Sequence, residues 1–277
     1  MRSREIKEET IPLNIMAPSR NSEERDNRLV IIVPYRDRLD HLKLFVPHME
    51  SFLGDRSYRI LVVEQTDNHS FNKGKLCNIG FTLMSPEEEW LCFHDVDMLP
   101  LDDSCEYSLT DNSIHLAGCV QQFGFQMPYP EYLGGVFLTK RREFEKVNGY
   151  SNEYWGWGNE DDDLYIRYQL SGSKIQQRPG RYLSLPHPTS QASLENDVRL
   201  ARALAFAATQ TTDSGILDRI NYIKTGVSPL HIESAVDYTS DGLCNLRYRI
   251  LSRDRLQSAI SFEQKVSDTH EIVRVEL

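Results

Sequence analysis

Residues 28–34 (Arg-Leu-Val-Ile-Ile-Val-Pro) contain an unbroken run of large apolar side chains, from Leu29 to Val33. An unbroken apolar run of this length is typical of a strand that is buried on both faces of its sheet. After it, apolar residues at helical spacing predict a helix from Asp40 to Leu53, and a second strand is predicted from Tyr58 to Glu64. This order indicates a β-α-β unit and therefore an α/β fold.

A helix is next predicted from Phe71 to Met84, and a short apolar strand from Trp90 to Phe93 leads into Asp95-Val96-Asp97. Open α/β sheets bind their ligands outside the carboxyl ends of the strands. In an extended backbone, alternate side chains share a side, so both carboxylates would lie together. Such oxygen ligands suit Mg²⁺ or Mn²⁺, which can bridge the phosphates of a nucleotide. The alternative is a pair of solvated acids.

The remaining elements follow from shorter patterns. From position 190 to position 223 the chain is polar and rich in Ala, and the spacing of its apolar residues predicts a helix. Further strands are predicted at 114–120, 134–139, 181–185 and 243–251. No internal repeat is visible.

Residues 155–163 (Trp-Gly-Trp-Gly-Asn-Glu-Asp-Asp-Asp) place four consecutive carboxylates after a Gly/Trp turn. Adjacent like charges raise one another's proton affinity, and aromatic walls that exclude water raise it further, which favours a general base. Acids in the first turn of a helix also complement its positive end, and Leu164 to Leu170 could continue such a helix. The two interpretations are compatible, because the acids can begin a helix and also face a pocket.

The 277 residues (32.1 kDa) carry a net charge of −10 and are long enough to bury a full core. We expect a polar arm over residues 1–27 and a single domain over residues 28–277. The negative charge argues against a nucleic-acid or anionic-membrane partner, for which a basic surface would be expected. An anionic ligand would therefore need a local cluster of Arg and Lys, or a metal.

The five cysteines show no CxxC or zinc spacing, and an odd number suits a reducing compartment. One bridge, such as Cys92 to Cys105, stays open as an alternative. The charged N-terminal region lacks a signal-peptide core, and no apolar run is long enough to span a membrane. As given, the sequence predicts a soluble, cytoplasmic polypeptide.

Cationic and aromatic side chains follow the first two strands. Arg36 and Arg38 come directly after the first strand, where guanidinium groups could bind phosphate or uracil oxygens, although a surface ion-pair loop is an equal alternative. Phe71 and Lys73 combine an aromatic surface with a cation suited to phosphate. His187 lies between two prolines after a predicted strand, and a lone His is more often structural than metal-bound.

Several enzyme signatures are absent from the sequence. It contains no GxSxG elbow, HExxH, Walker loop or GxGxxG fingerprint. Six ordered motifs instead resemble the β-1,4-galactosyltransferase family: IIVPYRDR, FNKGKLCNIGF, HDVDMLPL, FGFQMPYPEYLGGV, NGYSNEYWGWGNEDDD and the later SDGL. The resemblance implies a GT-A fold with a mixed, mostly parallel sheet flanked by helices, and an inverting, Mn²⁺-dependent transfer of galactose from UDP-galactose to a hydroxyl of a sugar acceptor.

The resemblance also implies roles for individual residues. Asp161 would be the base that removes the proton of the acceptor hydroxyl, and Asp97 with His187 would hold the metal against the diphosphate. The pocket for the acceptor and the donor sugar would be lined by Tyr132, Trp157, Gly158 and Asp162. The donor would be bound by Arg36, Arg38, Phe71, Lys73, Asp95, Val96, Gly135, Trp157 and Glu160.

The chain departs from the family pattern in two places. Ser184 and Leu185 stand where relatives have a third metal ligand, a Met or a His, so weaker metal binding is expected. Residues 216–220 are the best match to the acceptor-pocket stretch, with Leu217 where an aromatic is usual. Family members are usually anchored in the Golgi, so a trimmed catalytic domain from the Golgi lumen is the alternative to a cytoplasmic enzyme.

Two other functions stay open. A non-catalytic protein that binds sugars or nucleotides would follow if the missing metal ligand had abolished turnover, and a transferase could use UDP-N-acetylgalactosamine or UDP-glucose instead. In the family, Tyr132 faces the C2 substituent of the donor sugar, where a phenol leaves little room for an N-acetyl group. Tyr132 therefore favours UDP-galactose.

Overall fold

The computed structural model describes residues 28–188, 193–212 and 238–277. Its centre is an eight-stranded mixed sheet with the strand order β10-β11-β2-β1-β3-β7-β5-β8. Strands β11, β2, β1 and β3 run parallel to one another, while β10 and β7 are antiparallel to their neighbours β11 and β3. A second sheet has the order β4-β9-β6. The strands are β1 Leu29–Tyr35, β2 Tyr58–Gln65, β3 Trp90–His94, β4 Met98–Pro100, β5 Ser113–His115, β6 Cys119–Val120, β7 Val136–Lys140, β8 Ile175–Gln177, β9 Arg181–Ser184, β10 Arg249–Arg255 and β11 Glu271–Glu276.

Helices cover both faces of the large sheet. They are α1 Leu39–Leu53, α2 Lys73–Thr82, α3 Arg141–Lys146, α4 Glu160–Leu170, α5 Leu194–Gln210 and α6 Leu256–Ala259. Side chains of β1 alternate between the two resulting cores, because successive residues of a strand point to opposite faces. Ile31 packs with α1 on one face, whereas Ile32 packs with α2, α4 and α5 on the other. All seven residues of β1 are buried, as the apolar run predicted.

Helix α2 packs unusually close to β1. A Cβ placed on Gly80 would lie 2.3 Å from Cγ2 of Ile32, so only glycine fits at this crossing. This contact fixes the height of α2 above the sheet. The helix begins at Lys73, with the side chain of Asn72 accepting a hydrogen bond from the backbone N–H of Lys75 at 2.9 Å. The sheet and its crossing glycine therefore determine where Lys73 stands.

Several predicted elements were wrong in their limits. The predicted strand over 114–120 is two short strands, β5 and β6, which belong to different sheets. The late strand lies at Arg249–Arg255 and not at 243–251, because this strand forms an exposed edge that lacks an apolar pattern. Strands β4, β8 and β11 were not predicted. The arm over residues 1–27 lies outside the described residues, and the single domain stays a prediction.

All five cysteines are free thiols, so the bridge between Cys92 and Cys105 is not formed. Both side chains are buried in the core that contains α1. Within residues 28–188, 193–212 and 238–277, no helix has the length and apolar character needed to cross a bilayer.

Candidate active site

Lys73 lies among three carboxylates at the carboxyl ends of the parallel strands. Its Nζ is 2.9 Å from Oδ2 of Asp161, 3.3 Å from Asp95 and 3.7 Å from Oε1 of Glu160. Burial alone would lower the pKa of Lys73, but the three carboxylates raise it well above its ordinary value. Lys73 is therefore a permanent cation that partly neutralises an acidic pocket.

Two of the acids around Lys73, Glu160 and Asp95, hold their protons more tightly than exposed acids do. Burial raises the pKa of Glu160 and of Asp95, with Lys73 opposing the rise at both groups. Burial also raises the pKa of Asp162 to about 6, against the effect of a hydrogen bond that the hydroxyl of Tyr129 donates to it at 2.8 Å. The predicted increase in proton affinity is thus present at Glu160 and Asp162, and burial is its main cause.

The cluster begins helix α4, as the alternative interpretation of the sequence required. Glu160, Asp161, Asp162 and Asp163 form the first turn of α4, and Asn159 before them adopts a left-handed conformation with φ of 75°. Acids in a first turn are stabilised by the positive end of the helix. The same four residues therefore form the first turn of a helix and supply the acids near Lys73.

The aspartates of the Asp95-Val96-Asp97 motif lie in a turn and not in an extended strand, so this part of the prediction was wrong. Strand β3 ends at His94, and the backbone N–H of Met98 donates to the carbonyl of Asp95 at 3.1 Å, which closes the turn. As a result the two carboxylates face different partners. Asp95 contacts Lys73, whereas the side chain of Val96 packs into the core, so any contact of Val96 with a ligand would come from its backbone.

Asp97 and His187 meet on the other side of this turn. Oδ2 of Asp97 is 2.9 Å from Nε2 of His187 and 3.9 Å from Nη1 of Arg38. A carboxylate oxygen and an imidazole nitrogen at this spacing form a donor set that suits Mn²⁺. Asp97 is 8 % exposed, whereas the side chain of His187 keeps 23 % of its exposure.

The positions where the family has a third ligand supply no metal-binding side chain here. Leu185 donates its backbone N–H to the carbonyl of Asp97 at 2.8 Å, and the hydroxyl of Ser184 contacts Oε1 of Gln122 at 3.3 Å. Among the residues that the structure describes, no group of three or more His, Cys, Asp and Glu side chains is arranged to hold a metal. The residues present therefore fit a metal with two protein ligands.

The predicted nucleotide-binding residues lie together at the ends of β1 and β2. The guanidinium of Arg36 lies 5.5 Å from the ring centre of Phe71 and donates to the carbonyl of His69 at 2.6 Å. The carbonyl of Phe71 accepts the backbone N–H of Gly156 at 2.7 Å, which ties this loop to the Gly/Trp turn. Arg36, Arg38 and Phe71 thus form a cationic and aromatic rim next to the acidic cluster.

The predicted sugar-binding residues lie in the loop before β7 and in the Gly/Trp turn before α4. The Tyr132 ring packs edge-on against three rings, those of His115, Phe123 and Tyr129, and not against Trp157. The carbonyl of Gly135 accepts the backbone N–H of Asp95 at 2.9 Å, which joins this loop to the aspartate turn.

The ring of Trp157 is 59 % exposed, between glycines at 156 and 158 that both have positive φ. An exposed indole of this kind offers a flat apolar surface to a sugar ring.

Buried polar residues outside the predicted set hold these loops in place. Asn196 of α5 is 1 % exposed and donates to the carbonyls of Trp155, Trp157 and Gly158 at 3.0 to 3.4 Å. An isolated Asn in a helix carries no signal in the sequence that could have identified it. Residues 216–220, the predicted acceptor stretch, lie outside the described residues.

Arg167 fixes helix α4 against the late motif SDGL. Its Nε contacts Oδ1 of Asp163 at 2.5 Å, and its Nη1 donates to the carbonyl of Asp241 at 2.7 Å. The carboxylate of Asp241 accepts hydrogen bonds from the hydroxyl of Ser151 and from the backbone N–H of Asn152. One buried network therefore joins α4, the loop before it and residue 241.

Comparison with known proteins matches two family models to this chain. One is described as the N-terminal region of glycosyl transferase group 7 and covers residues 10–110. The other is described as the N-terminal domain of galactosyltransferase and covers residues 114–188. The two matches include the rim, the aspartate turn and the acidic cluster.

Similar relatives include two β-1,4-galactosyltransferases. Form 3 of Rattus norvegicus is 35 % identical over 239 residues, which are 83 % of this chain and 53 % of that protein. Form 4 of Homo sapiens is 35 % identical over 219 residues, which are 76 % of this chain and 63 % of that protein. The chain therefore spans about half to two thirds of the length of these relatives.

Among solved structures, a mutant of Drosophila β-1,4-galactosyltransferase 7 in complex with manganese, UDP-Gal and xylobiose is similar. It is 25 % identical, with a TM-score of 0.64, and the match covers 91 % of this chain and 94 % of that one. A structure of the catalytic domain of the same enzyme with xylobiose matches equally well. The likeness confirms the predicted α/β fold with a mixed, mostly parallel sheet of GT-A type.

Proposed function

Because the chain belongs to the β-1,4-galactosyltransferase family, we propose that it transfers galactose from UDP-galactose, with inversion, to a hydroxyl of a sugar acceptor. The observation that carries the proposal is the position of Asp161. Its carboxylate lies at the start of α4, beside the cation Lys73 and at the end of the turn that exposes Trp157. A base, a cation and a surface for a sugar are therefore adjacent.

In this reaction the acceptor oxygen forms a bond to the anomeric carbon of galactose, and the bond from that carbon to the diphosphate oxygen breaks. The acceptor hydroxyl proton passes to the carboxylate of Asp161, and UDP leaves on the opposite face. One base suffices for inversion. Lys73, Arg36 and Arg38 stabilise the negative charge that develops on the leaving diphosphate.

Asp97 and His187 would hold a Mn²⁺ ion in this proposal. The bound ion would supply positive charge to the diphosphate, which is the chemistry that the protein's own cations supply only in part. The family relative from Drosophila was crystallised with manganese and UDP-Gal, which supports the proposal. With Ser184 and Leu185 providing no further side-chain ligand, we expect the affinity for the metal to be modest.

A second candidate is a protein that binds sugar nucleotides without turnover. It is favoured by the metal site, where Leu185 offers only a backbone N–H to Asp97. The two candidates differ in one measurable property, the release of UDP in the presence of an acceptor. A panel of xylosides, glucosides and N-acetylglucosaminides, tested with UDP-galactose, UDP-glucose and UDP-N-acetylgalactosamine with and without Mn²⁺, separates them and identifies the donor.

The test of the base is Asp161→Asn, which preserves the shape of the side chain and removes its ability to accept a proton. The turnover number should fall by about 10² to 10⁴, while the affinity for UDP, measured by calorimetry, stays within a few-fold. Glu153→Gln is the matched control, because Glu153 is an exposed acid of the same segment that pairs only with Arg199 in the described residues. Near wild-type turnover in Asp161→Asn would refute the base assignment.

A further inference from the structure

The two oxygens of Asp161 have different partners. Oδ2 contacts the ammonium of Lys73 at 2.9 Å, while Oδ1 accepts a hydrogen bond from the hydroxyl of Tyr150 at 3.3 Å. Tyr150 was not among the predicted site residues, although it lies within the quoted motif NGYSNEYWGWGNEDDD. Each carboxylate oxygen of the proposed base is thus met by one donor.

Tyr150 is held rigidly. Its side chain is 1 % exposed, and its ring packs edge-on against Phe93 at 5.4 Å and Phe144 at 6.0 Å. Its backbone N–H and carbonyl are both bonded to the side-chain amide of Asn78, at 2.9 and 2.8 Å. On the remaining side a Cβ on Gly74 would lie 3.1 Å from Cβ of Tyr150. A phenol confined in this way keeps its hydroxyl at one place.

The two groups that donate to Asp161, the Lys73 ammonium and the Tyr150 hydroxyl, would respond differently to a bound substrate. Lys73 is shared among three carboxylates and is assigned to the diphosphate in the proposed function, so the donor substrate competes for it. The Tyr150 hydroxyl has one hydrogen bond among the described residues, the bond to Asp161. Burial raises the pKa of Tyr150 well above its ordinary value, so the hydroxyl keeps its proton. It therefore remains a donor when Lys73 turns to the diphosphate.

We propose that Tyr150 is a positioning residue for Asp161, whose hydroxyl orients the carboxylate and favours its ionised form while the donor substrate engages Lys73. The proposal rests on the proposed function, because it needs Asp161 to act as the base. A hydrogen bond to an ionised carboxylate favours the charged form. The bond also leaves the lone pairs of Oδ2 available to the acceptor hydroxyl.

Other charged and titratable groups also face Asp161, and the Tyr150 hydroxyl acts on the carboxylate together with them. Cationic Lys73 comes from α2, and acids come both from the aspartate turn and from α4 itself. Neutral groups come from the loop before β7, from β5 and from α2. These groups are Lys73, Asp95, Glu160, Asp162, Tyr129, Tyr132, His115 and Cys77.

The test is Tyr150→Phe, which keeps the ring and its packing and removes only the hydroxyl. The acidic limb of the profile of kcat against pH should move to higher pH by about 0.5 to 1 pH unit, as expected for the loss of one long hydrogen bond to a charged group. On the plateau of the profile, kcat and the KM for the donor should stay within about threefold of wild type. A merely structural role would lower kcat or stability without moving the limb.

Tyr154→Phe is the matched control. It removes an equally buried hydroxyl that donates to a carboxylate of the same helix, Asp163, at 3.0 Å. Its acidic limb should coincide with that of the wild type.

Gly74→Ala provides a second route to the same effect, because the new methyl group would press on Tyr150 and on the carbonyl of Ser151, 2.9 Å away. Its limb should move in the same direction as that of Tyr150→Phe, with the affinity for UDP unchanged. It decides the question if Tyr150→Phe does not fold.

The outcomes separate the two proposals. If Asp161→Asn is inactive and the limbs of Tyr150→Phe and Gly74→Ala coincide with the wild type, the role of Tyr150 is refuted while the base stands. If Asp161→Asn retains turnover, the base assignment fails, and the role of Tyr150 fails with it. A limb that moves equally in Tyr154→Phe would also refute the proposal, because the effect would then not depend on contact with Asp161.

Discussion

Replacing Lys73 by Met should destabilise the protein in a way that depends strongly on pH. The substitution keeps the length of the side chain but leaves Asp95, Glu160 and Asp161 around an apolar group. Lys73 now lies 2.9 to 3.7 Å from these three carboxylates. Removing one partner of a buried ion pair costs about 3 to 5 kcal/mol. Since the side chains keep 13 to 26 % of their exposure, we expect a loss of about 2 to 4 kcal/mol at pH 8.

The pH dependence follows from the acids that Lys73 partly neutralises. Burial raises the pKa of Glu160 and of Asp95, and Lys73 opposes this rise. An acid whose pKa is higher in the folded than in the unfolded protein stabilises the fold below its unfolded pKa, and this contribution is lost as the pH rises through the folded pKa. Without Lys73 the pKa values of Glu160 and Asp95 in the folded protein rise further. The loss of folding stability with rising pH therefore becomes larger. At pH 5 the variant should therefore be less stable than the wild type by only about 1 kcal/mol.

The measurement is unfolding in urea, followed by circular dichroism at pH 5 and pH 8 in low salt. Urea is preferred to guanidinium chloride because a salt would screen the charges that are being tested. Lys75→Met is the control, since Lys75 lies in the same helix but contacts the ring of Trp155 at 5.6 Å and not the acidic cluster. Its effect should be the same at both pH values. Equal destabilisation of Lys73→Met at pH 5 and pH 8 would refute the electrostatic account of this site.

Further predictions concern the metal and the donor. Asp97→Ala and His187→Ala should each weaken Mn²⁺ binding by at least about tenfold, which electron paramagnetic resonance titration measures directly; unchanged affinity in both variants would remove them as ligands. Leu185→His should tighten Mn²⁺ binding if a ligand is missing there, and an equal or weaker affinity would contradict that interpretation. Tyr132→Leu should raise the rate with UDP-N-acetylgalactosamine relative to UDP-galactose by about 10- to 200-fold; in a competition between both donors, an unchanged ratio would show that Tyr132 does not select the sugar.

The elements that bury the most apolar surface could be predicted from the sequence. The apolar run from Leu29 to Val33 can be buried well only as a strand covered on both faces. The structure places this strand at the centre of the sheet. The regular helical spacing of the apolar residues between Asp40 and Leu53 likewise identified α1. Strand β11 was not predicted because charged residues interrupt its apolar ones. Its place beside β2 also depends on pairing with residues about 210 positions away. Local patterns carry no information on such pairings.

The site was predictable in its members but not in its arrangement. The position of Asp95 at a strand end followed from the order of elements, whereas the turn that separates it from Asp97 depends on a single hydrogen bond, from Met98 to Asp95. The ion pair between Lys73 and Asp161 joins residues 88 positions apart. It forms because α2 and α4 pack on the same face of the sheet, which no pattern in either segment specifies.

The network around Arg167 has a consequence for the order of events during synthesis on the ribosome. The carbonyl of Asp241 that receives its guanidinium is 74 positions further along the chain. At a translation rate of about 5 to 20 residues per second, roughly 4 to 15 s pass between the synthesis of the two residues. Throughout that interval Arg167 can contact Asp163 and the carbonyl of Gly149, but its bond to Asp241 cannot form. The bond between α4 and residue 241 can then form only late, so a nascent chain that has not reached Asp241 should hold α4 less firmly than the full chain does.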